Sequence, residues 1–211
     1  MDILIRTGWY ALLVAMAGDI AVSLVLPAFY KGYSVFKMSI SALGNPNSPV
    51  RIPFNIWMLI EGILFLVSIP AFNKNYSPVS KGLTITSIVF IAAFAVGACI
   101  FTCFFSVNES KDDVTTASKI HGAGSVIGLM LFLFMPLMIA ILSFKSKDAT
   151  KGGISILCFV LALVSFTLYV MSDKEEFSKT VIANEGLWQR ISLVFMYLPL
   201  VIVAVKNILG A

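Results

Sequence analysis

Six long apolar runs, separated by short polar stretches, dominate the pattern along the chain. They lie near residues 8–29, 53–72, 82–107, 120–144, 152–172 and 187–208. An α-helix needs about 20 residues to cross the hydrocarbon core of a bilayer, and these runs are close to that length. The pattern therefore predicts an all-α integral membrane protein in which residues 1–211 form one domain, a bundle of six transmembrane helices.

The longest connection, loop 1, joins the first two predicted helices over residues 30–52. Phe36, Ile40 and Leu43 recur in it at helical spacing, with Ser and Lys between them, which predicts a short helix in the membrane interface. Gly44 is a candidate helix C-cap, and the stretch rich in Asn and Pro after it indicates a turn. We expect loop 1 to cover the helix ends as a flap; the alternative is a passive interfacial connection.

The composition agrees with the helical pattern and narrows the function. Only 12% of the residues are charged and 59% are hydrophobic, whereas a soluble domain is roughly 25% charged. The net charge of +4 is spread over short loops rather than gathered into one patch, so we expect no nucleic-acid partner. The cysteines, Cys99, Cys103 and Cys158, lie in apolar runs as packing residues. With a single histidine they lack the ligand spacing of a metal site, and we expect no metal and no other cofactor.

Lysine and arginine in the connections give a prediction of sidedness. The side that holds both termini and the second and fourth connections carries seven of them, and the other side carries eight. The seven lie beside very short connections, whereas three of the eight, Lys31, Lys37 and Arg51, lie in loop 1. Most acidic residues also lie on that second side. This distribution favours both termini in the cytoplasm.

Two carboxylic acids interrupt the apolar runs. Asp19 and Glu61 each lie eight or more residues inside a predicted helix, so they should face the bundle interior or a water-filled cavity. Their possible roles are a proton or cation relay, a ligand for a polar head group, or a general acid or base. The alternative is a protonated carboxyl hydrogen-bonded across helices to Ser, Thr or backbone.

The only histidine, His121, opens the fourth predicted helix beside Gly122 and Gly124. An imidazole there is a candidate base, and equally a candidate interfacial anchor. Topology places it on the same side of the membrane as loop 1 and the start of the sixth helix. We therefore expect these three regions to share one site.

The sixth predicted helix begins with Glu185, Trp188, Gln189 and Arg190. Arg190 could bind a lipid phosphate or carboxylate with its planar fork, or pair with Glu61 or Glu185. The alternative is an arginine that extends to the interface, with Trp188 in an aromatic belt.

Three motifs in order resemble a known family. They are Ile40-Ser41-Ala42-Leu43-Gly44 followed by Ser48-Pro49, then His121-Gly122, then Gly186-Leu187-Trp188-Gln189-Arg190. Together they look like the bacterial and archaeal membrane family called domain of unknown function 998, which implies about six helices, a prokaryotic cell membrane and no settled activity. The chain departs from that pattern where the family often has an acid at Ala42, and at Phe101-Thr102-Cys103-Phe104. The layout is distantly similar to the eukaryotic Frag1/DRAM/Sfk1 group, whose members are tied to lipid and GPI-anchor handling.

The first functional hypothesis is a site for a membrane lipid or small amphiphile at the non-cytoplasmic helix ends. Arg190 and Gln189 would hold the head group, with Asp19, Trp188 and Glu185 as further ligand-binding residues. If the site also remodels its ligand by acyl transfer or hydrolysis, His121 would be the base and Ser39 or Ser41 the nucleophile. Glu61 would orient or protonate the reacting groups. The sequence leaves enzyme and non-catalytic binder open.

Two other classes stay open. One is a small transporter, or a membrane-embedded substrate-binding subunit, that uses Asp19 and Glu61 inside the membrane. Small residues spaced four apart on the first helix, Ala11 with Ala15 and Ala17 with Ala21, offer a docking face for a partner helix. The other class is a structural or sensory accessory protein.

Overall fold

The computed structural model describes residues 3–108 and 114–210. These residues form a bundle of six long helices joined by loops and short helical segments. Their bounds are Ile3–Phe29 (α1), Arg51–Tyr76 (α2), Lys81–Phe104 (α3), Thr116–Lys145 (α4), Ala149–Met171 (α5) and Glu185–Leu209 (α6). Each is long and apolar enough to cross a membrane. The predicted six-helix integral membrane fold is confirmed, and the largest shift is at the start of α1, which begins at Ile3 rather than residue 8.

The outward faces of these helices are apolar. Between 22% and 50% of the most apolar window of each helix is buried, so at least half of each window is partly or fully exposed. The exposed residues there are large and aliphatic, for example Val14, Ile63, Ile85, Ile127 and Leu157. A water-facing helix would be polar on that side, so this surface contacts lipid.

We call the end of the bundle that carries loop 1 and the α3–α4 and α5–α6 connections the loop-1 end, and the opposite end the terminal end. At the terminal end, the α4–α5 connection lies beside the last turn of α6, where Lys206 Nζ is 3.5 Å from an Asp148 carboxyl oxygen.

Two helices are irregular where they surround the interior. The α3 backbone widens to a π-helix over Phe94–Ile100. The α4 helix is interrupted after Phe132 and resumes at Met135–Lys145, with Pro136 in the first turn of the second segment. Proline lacks the N–H that would continue the hydrogen-bond ladder, which explains the interruption.

The π-helical part of α3 is in backbone contact with α4. A Cβ atom added to Gly97 would collide with the carbonyl oxygen of Gly124, and one added to Gly124 would lie 2.9 Å from the carbonyl oxygen of Gly97. On the other side, a Cβ on Gly62 of α2 would lie 2.8 Å from the Ala95 carbonyl oxygen. Small residues thus allow α2, α3 and α4 to pack closely.

The interruption divides α4 between two neighbours. The segment after it, Met135–Lys145, packs along α5 and α6. The segment before it, Thr116–Phe132, packs against α3. Toward the loop-1 end, α4 and α5 therefore separate and leave space between them.

Loop 1, which ends at Val50 in the structure, has a shorter helix than the spacing of its apolar residues predicts. Only Ile40–Gly44 is helical, as a 3₁₀-helix, and Phe36 lies outside it with 59% of its surface exposed. Ser39 is extended, with φ −60° and ψ 155°, so the helix cannot continue backward through it. Gly44 ends the helix instead of capping it, and Asn45 is the cap.

The turn after this helix is built on Asn45. Its side-chain amide donates to the Ala42 carbonyl at 2.7 Å and to the Tyr30 hydroxyl at 3.1 Å. Its side-chain oxygen accepts from the Asn47 N–H at 2.9 Å, which is an Asx turn. The predicted turn between loop 1 and α2 is present.

Candidate functional site

A cavity of about 800 Å³ lies at the loop-1 end of the bundle, and all six helices and loop 1 contribute to its wall. Sites for small molecules are usually about 300–1,000 Å³ in volume, so this cavity is of the right size for one. Seven of the nine predicted site residues line it: Asp19, Ser39, Ser41, Glu61, His121, Glu185 and Gln189. The lining does not include Trp188 or Arg190.

The floor of the cavity carries the two intramembrane acids. Asp19 is buried, and its Oδ2 accepts a 2.7 Å hydrogen bond from the Tyr197 hydroxyl of α6. Glu61 is fully buried, and neither of its carboxyl oxygens makes a well-aligned hydrogen bond among the residues that the structure describes, although Cys99, Trp57 and Tyr197 lie near them. Asp19 is near enough to interact electrostatically with Glu61. The expectation that both acids face the bundle interior therefore matches their positions.

Below the acids, four aromatic rings pack together and separate the cavity from the terminal end. Phe94 stacks on Phe132 with ring centroids 4.3 Å apart, and Phe65 meets Phe94 edge-on at 5.2 Å. The Tyr197 ring packs against the Phe132 ring at 5.9 Å. We call these residues the aromatic floor cluster. They come from α2, α3, α4 and α6 and are buried, so they tie four helices together beneath the cavity.

His121 lies higher in the wall and is held in one orientation. Its Nδ1 is 3.0 Å from the carbonyl oxygen of Phe105, and because a carbonyl can only accept, Nδ1 carries the proton. In the neutral ring the lone pair is then on Nε2, which lies 3.4 Å from the Ser125 hydroxyl one helical turn later. No carboxylate contacts the ring in the described part of the chain, so the arrangement is a His–Ser pair without the acid of a triad.

The predicted nucleophiles, Ser39 and Ser41, lie at the mouth of the cavity with the exposed Lys37. Neither serine is hydrogen-bonded to His121 within the described ranges 3–108 and 114–210. The serine that the structure brings to the imidazole is Ser125, which sequence reasoning missed. The spacing of four residues from His121 is the signal that could have found it, because residues four apart share a helix face.

Arg190 binds the chain itself rather than facing the cavity. Its Nη1 donates to the carbonyl oxygens of Val35 at 2.9 Å and Gly186 at 3.0 Å, and its Nη2 donates to the Ser23 carbonyl at 3.0 Å and the Tyr33 hydroxyl at 2.9 Å. The side chain is only 7% exposed. Arg190 thus joins α1, loop 1 and α6, and the geometry does not match the predicted fork for a ligand.

Two further hydrogen bonds hold loop 1 on the start of α6. The Leu187 N–H donates to the Phe36 carbonyl at 3.0 Å, and the Gln189 side-chain oxygen accepts from the Ile40 N–H at 2.7 Å. Gly186 allows this approach, because a Cβ atom there would collide with the Val35 carbonyl oxygen. Loop 1 is therefore a fixed cover on the cavity.

Tyr33 completes this attachment. Its hydroxyl donates to the Ser39 carbonyl at 2.8 Å while it accepts from Arg190. Burial raises the pKa of the Tyr33 hydroxyl above its usual value, although the Arg190 charge acts in the opposite direction. The phenol therefore keeps its proton and stays a donor at neutral pH. Trp188 lies apart, half-buried, with its indole N–H donating to the Val181 carbonyl at 3.2 Å.

The cavity also opens sideways, between α4 and α5. Val126 and Met130 of α4 line it and are 55% and 50% exposed, and Val170 of α5 lines it and is 52% exposed. Half-exposed residues of the cavity wall mark an opening toward the lipid, at the place where α4 leaves α5 for α3. We call this opening the α4–α5 gap.

Comparison with known proteins identifies a family without a known activity. The model of the family described as Protein of unknown function (DUF998) matches residues 13–206, from within α1 to the last turn of α6. No curated protein and no solved structure matches the chain. The chain therefore belongs to the DUF998 family, and the match includes every helix that lines the cavity.

Proposed function

We propose that this integral membrane protein binds a lipid or small amphiphile in the cavity at its loop-1 end. The observation that supports this most is that one cavity of about 800 Å³ has apolar walls, buried polar groups and an opening toward lipid. With both termini in the cytoplasm, as the basic residues favour, the cavity belongs to the outer half of the bilayer.

The polar groups occur at two depths. Ser39, Ser41, Glu185 and Gln189 surround the mouth, whereas Asp19 and Glu61 form the floor. The wall between the two levels is mainly apolar, with the residues Phe54, Met58, Ala98, Leu129, Phe166 and Leu193. A ligand with a hydrocarbon chain and a small polar group satisfies both kinds of surface, since apolar contacts hold the chain and a few polar groups fix the orientation.

The α4–α5 gap gives such a ligand a route. A chain that enters from the bilayer passes between Val126, Met130 and Val170 without leaving an apolar environment. Loop 1 is tied to α6 by Arg190 and Gln189, so access through the membrane face does not require loop 1 to open. In this proposal Arg190 positions the cover, and it does not contact the ligand.

Transport is the weaker alternative. Asp19 and Glu61 would be its coupling groups, but the aromatic floor cluster lies between them and the terminal end, so a substrate would have to displace packed rings. A structural or sensory accessory role would use the same cavity to recognise a lipid without changing it.

The test is native mass spectrometry of the purified protein with its co-purifying lipid. We expect the wild type to retain lipid and Leu129→Trp to lose it, because Leu129 lines the cavity and the larger ring fills the space. The matched control is Ile127→Trp on the same helix, which is 58% exposed outside the cavity lining and should retain lipid. A wild type that binds neither lipid nor added amphiphile, or a Leu129→Trp variant that binds as well as the control, would refute the proposal.

The His121–Ser125 pair favours a second candidate, an esterase built on the same binding site. The Ser125 oxygen would attack the ester carbonyl of the bound lipid while its proton passes to His121 Nε2, and the departing alcohol would take that proton. Water would then release the acid from Ser125, restoring the hydroxyl. Release of fatty acid that stops in both His121→Ala and Ser125→Ala would support this candidate. Loss in Ser39→Ala or Ser41→Ala, with Ser125→Ala active, would assign the nucleophile to loop 1 instead.

A further inference from the structure

We infer that the ligand of this cavity carries an ammonium group that binds between Asp19 and Glu61, so that its chemical class is a long-chain amine. The inference rests on the proposed amphiphile site and adds the charge of the ligand. It starts from Glu61, a fully buried carboxyl of the cavity lining that makes no well-aligned hydrogen bond among the described residues, although Cys99, Trp57 and Tyr197 lie near its oxygens.

A buried polar group without a partner is costly, and a charged one is more so. Two other polar side chains of the lining, Thr102 and Asp19, make hydrogen bonds within the chain. Thr102 donates to the Ala98 carbonyl at 2.6 Å, and Asp19 accepts from Tyr197 at 2.7 Å. Glu61 borders a space large enough for a ligand, and a group that donates hydrogen bonds from that space would satisfy its carboxyl oxygens.

The charges around the cavity favour a cation as that group. Among the described lining residues, Lys37 is the one lysine or arginine, and it lies exposed at the mouth. Arg190 is near enough to act electrostatically on Asp19, but its Nη1 and Nη2 atoms already donate to carbonyl oxygens and the Tyr33 hydroxyl. An anion at the floor would meet two carboxyl groups. An ammonium would meet two acceptors on adjacent helices, α1 and α2, and has three N–H donors to share between them.

The depth of the floor excludes a bulkier head group. Glu61 lies ten residues into α2 from Arg51, which places it about 15 Å below the loop-1 end at 1.5 Å per residue. The wall above it is apolar, with Met58 and Phe166. The phosphate of an aminophospholipid would lie in this apolar zone beside two acids, so we expect a simple alkylammonium to bind in preference. Its chain would extend past these residues and into the α4–α5 gap.

The experiment compares amphiphiles of one chain length and different head groups. Purified wild-type protein in a non-ionic detergent is titrated with dodecylammonium, dodecanol, dodecyl sulfate and lysophosphatidylethanolamine, and binding is followed by competition with a fluorescent amphiphile. We expect dodecylammonium to bind at least about tenfold more tightly than dodecanol, which corresponds to about 1.4 kcal/mol of binding free energy. Dodecyl sulfate and the aminophospholipid should bind more weakly than the amine.

Variants then assign the preference to the floor. Glu61→Gln keeps the side-chain size and should abolish the preference for the amine, whereas Asp148→Asn, which removes an acid at the terminal end, should leave it intact. Asp19→Asn is the second variant if Glu61→Gln does not fold, and the comparison of ligands on the wild type needs no variant. Equal binding of dodecanol and dodecylammonium would overturn the inference and leave the amphiphile site standing. No binding of any amphiphile would overturn both.

Discussion

The guanidinium of Arg190 and the carbonyl oxygen of Val35, 155 residues apart in the chain, are joined by a 2.9 Å hydrogen bond. This contact fixes loop 1 to α6 and, with the hydrogen bond from Arg190 to Ser23, to α1 as well. The cover of the cavity is thus part of the folded core rather than a separate surface loop.

Replacement of Arg190 by Gln should loosen this cover. Hydrogen bonds from a charged donor contribute about 1.5–3 kcal/mol each, and the loss of several leaves buried carbonyl oxygens without donors. We expect a lower unfolding temperature and faster tryptic cleavage after Lys31 or Lys37, both of which lie in loop 1. The control is Arg6→Gln, since Arg6 is exposed at the opposite end, where it donates to the Tyr10 hydroxyl at 3.3 Å. Equal cleavage rates in the two variants would show that Arg190 does not hold loop 1.

The bond between Tyr197 and Asp19 should appear as a coupling energy. Tyr197→Phe removes the donor to a buried carboxyl oxygen, which should lower the free energy of unfolding by about 1–3 kcal/mol. In a double-mutant cycle with Asp19→Asn, the two effects should not add, and the shortfall should be about 1 kcal/mol. Strict additivity would contradict the hydrogen bond. Tyr10→Phe, on the exposed face of α1, is the control and should change little.

The contact between Gly97 and Gly124 predicts a steric effect on α3–α4 packing. Gly97→Ala should destabilise the protein by about 1–3 kcal/mol, because the added methyl group meets backbone rather than a movable side chain. Gly153→Ala on α5 has nothing within 4 Å of the new Cβ, and alanine is the better helix former. It should be neutral or stabilising. Denaturation in one detergent, followed by circular dichroism, compares the pair, and similar stability of the two variants would argue against the close approach.

The carboxyl group of Asp148, outside the membrane at the terminal end, should make the stability of the protein depend on pH. Its pKa is lowered from 3.8, first by the Lys151 backbone N–H that it caps and then by the Lys151 side chain. The folded-state pKa is below the unfolded one, so this contribution to stability is complete above about pH 4 and is lost as the pH falls through the folded-state value.

Asp148→Ala should therefore cost about 1 kcal/mol at pH 7, as the removal of an N-cap usually does. The difference from wild type should shrink at acidic pH, where the wild-type carboxyl is protonated. Unfolding temperatures measured between pH 7 and pH 3 test this, and a difference that stays constant over that interval would exclude the cap as its cause.

The parts of the structure that follow from local chemistry could be predicted from the sequence. Apolar runs of membrane length fixed the six helices, and the cost of a buried charge placed Asp19 and Glu61 toward the interior. The contact between Ser125 and His121 could also have been predicted, because the two residues are four apart on one helix. The sequence does not show which residues far apart in the chain contact each other in the fold. Arg190 looks like an anion-binding residue because its actual partners, main-chain carbonyl groups, leave no trace in residue types.

The hydrogen bonds from Arg190 to main-chain oxygens also determine how the sequence of loop 1 can vary. Apart from the Tyr33 hydroxyl, loop 1 is held through main-chain oxygens of Val35, Phe36 and Met38, which every amino acid supplies. The side chains at the rim can therefore be exchanged while the cover keeps its place. Loop 1 is thus a region in which the side chains at the cavity mouth can change without any redesign of the bundle that supports it.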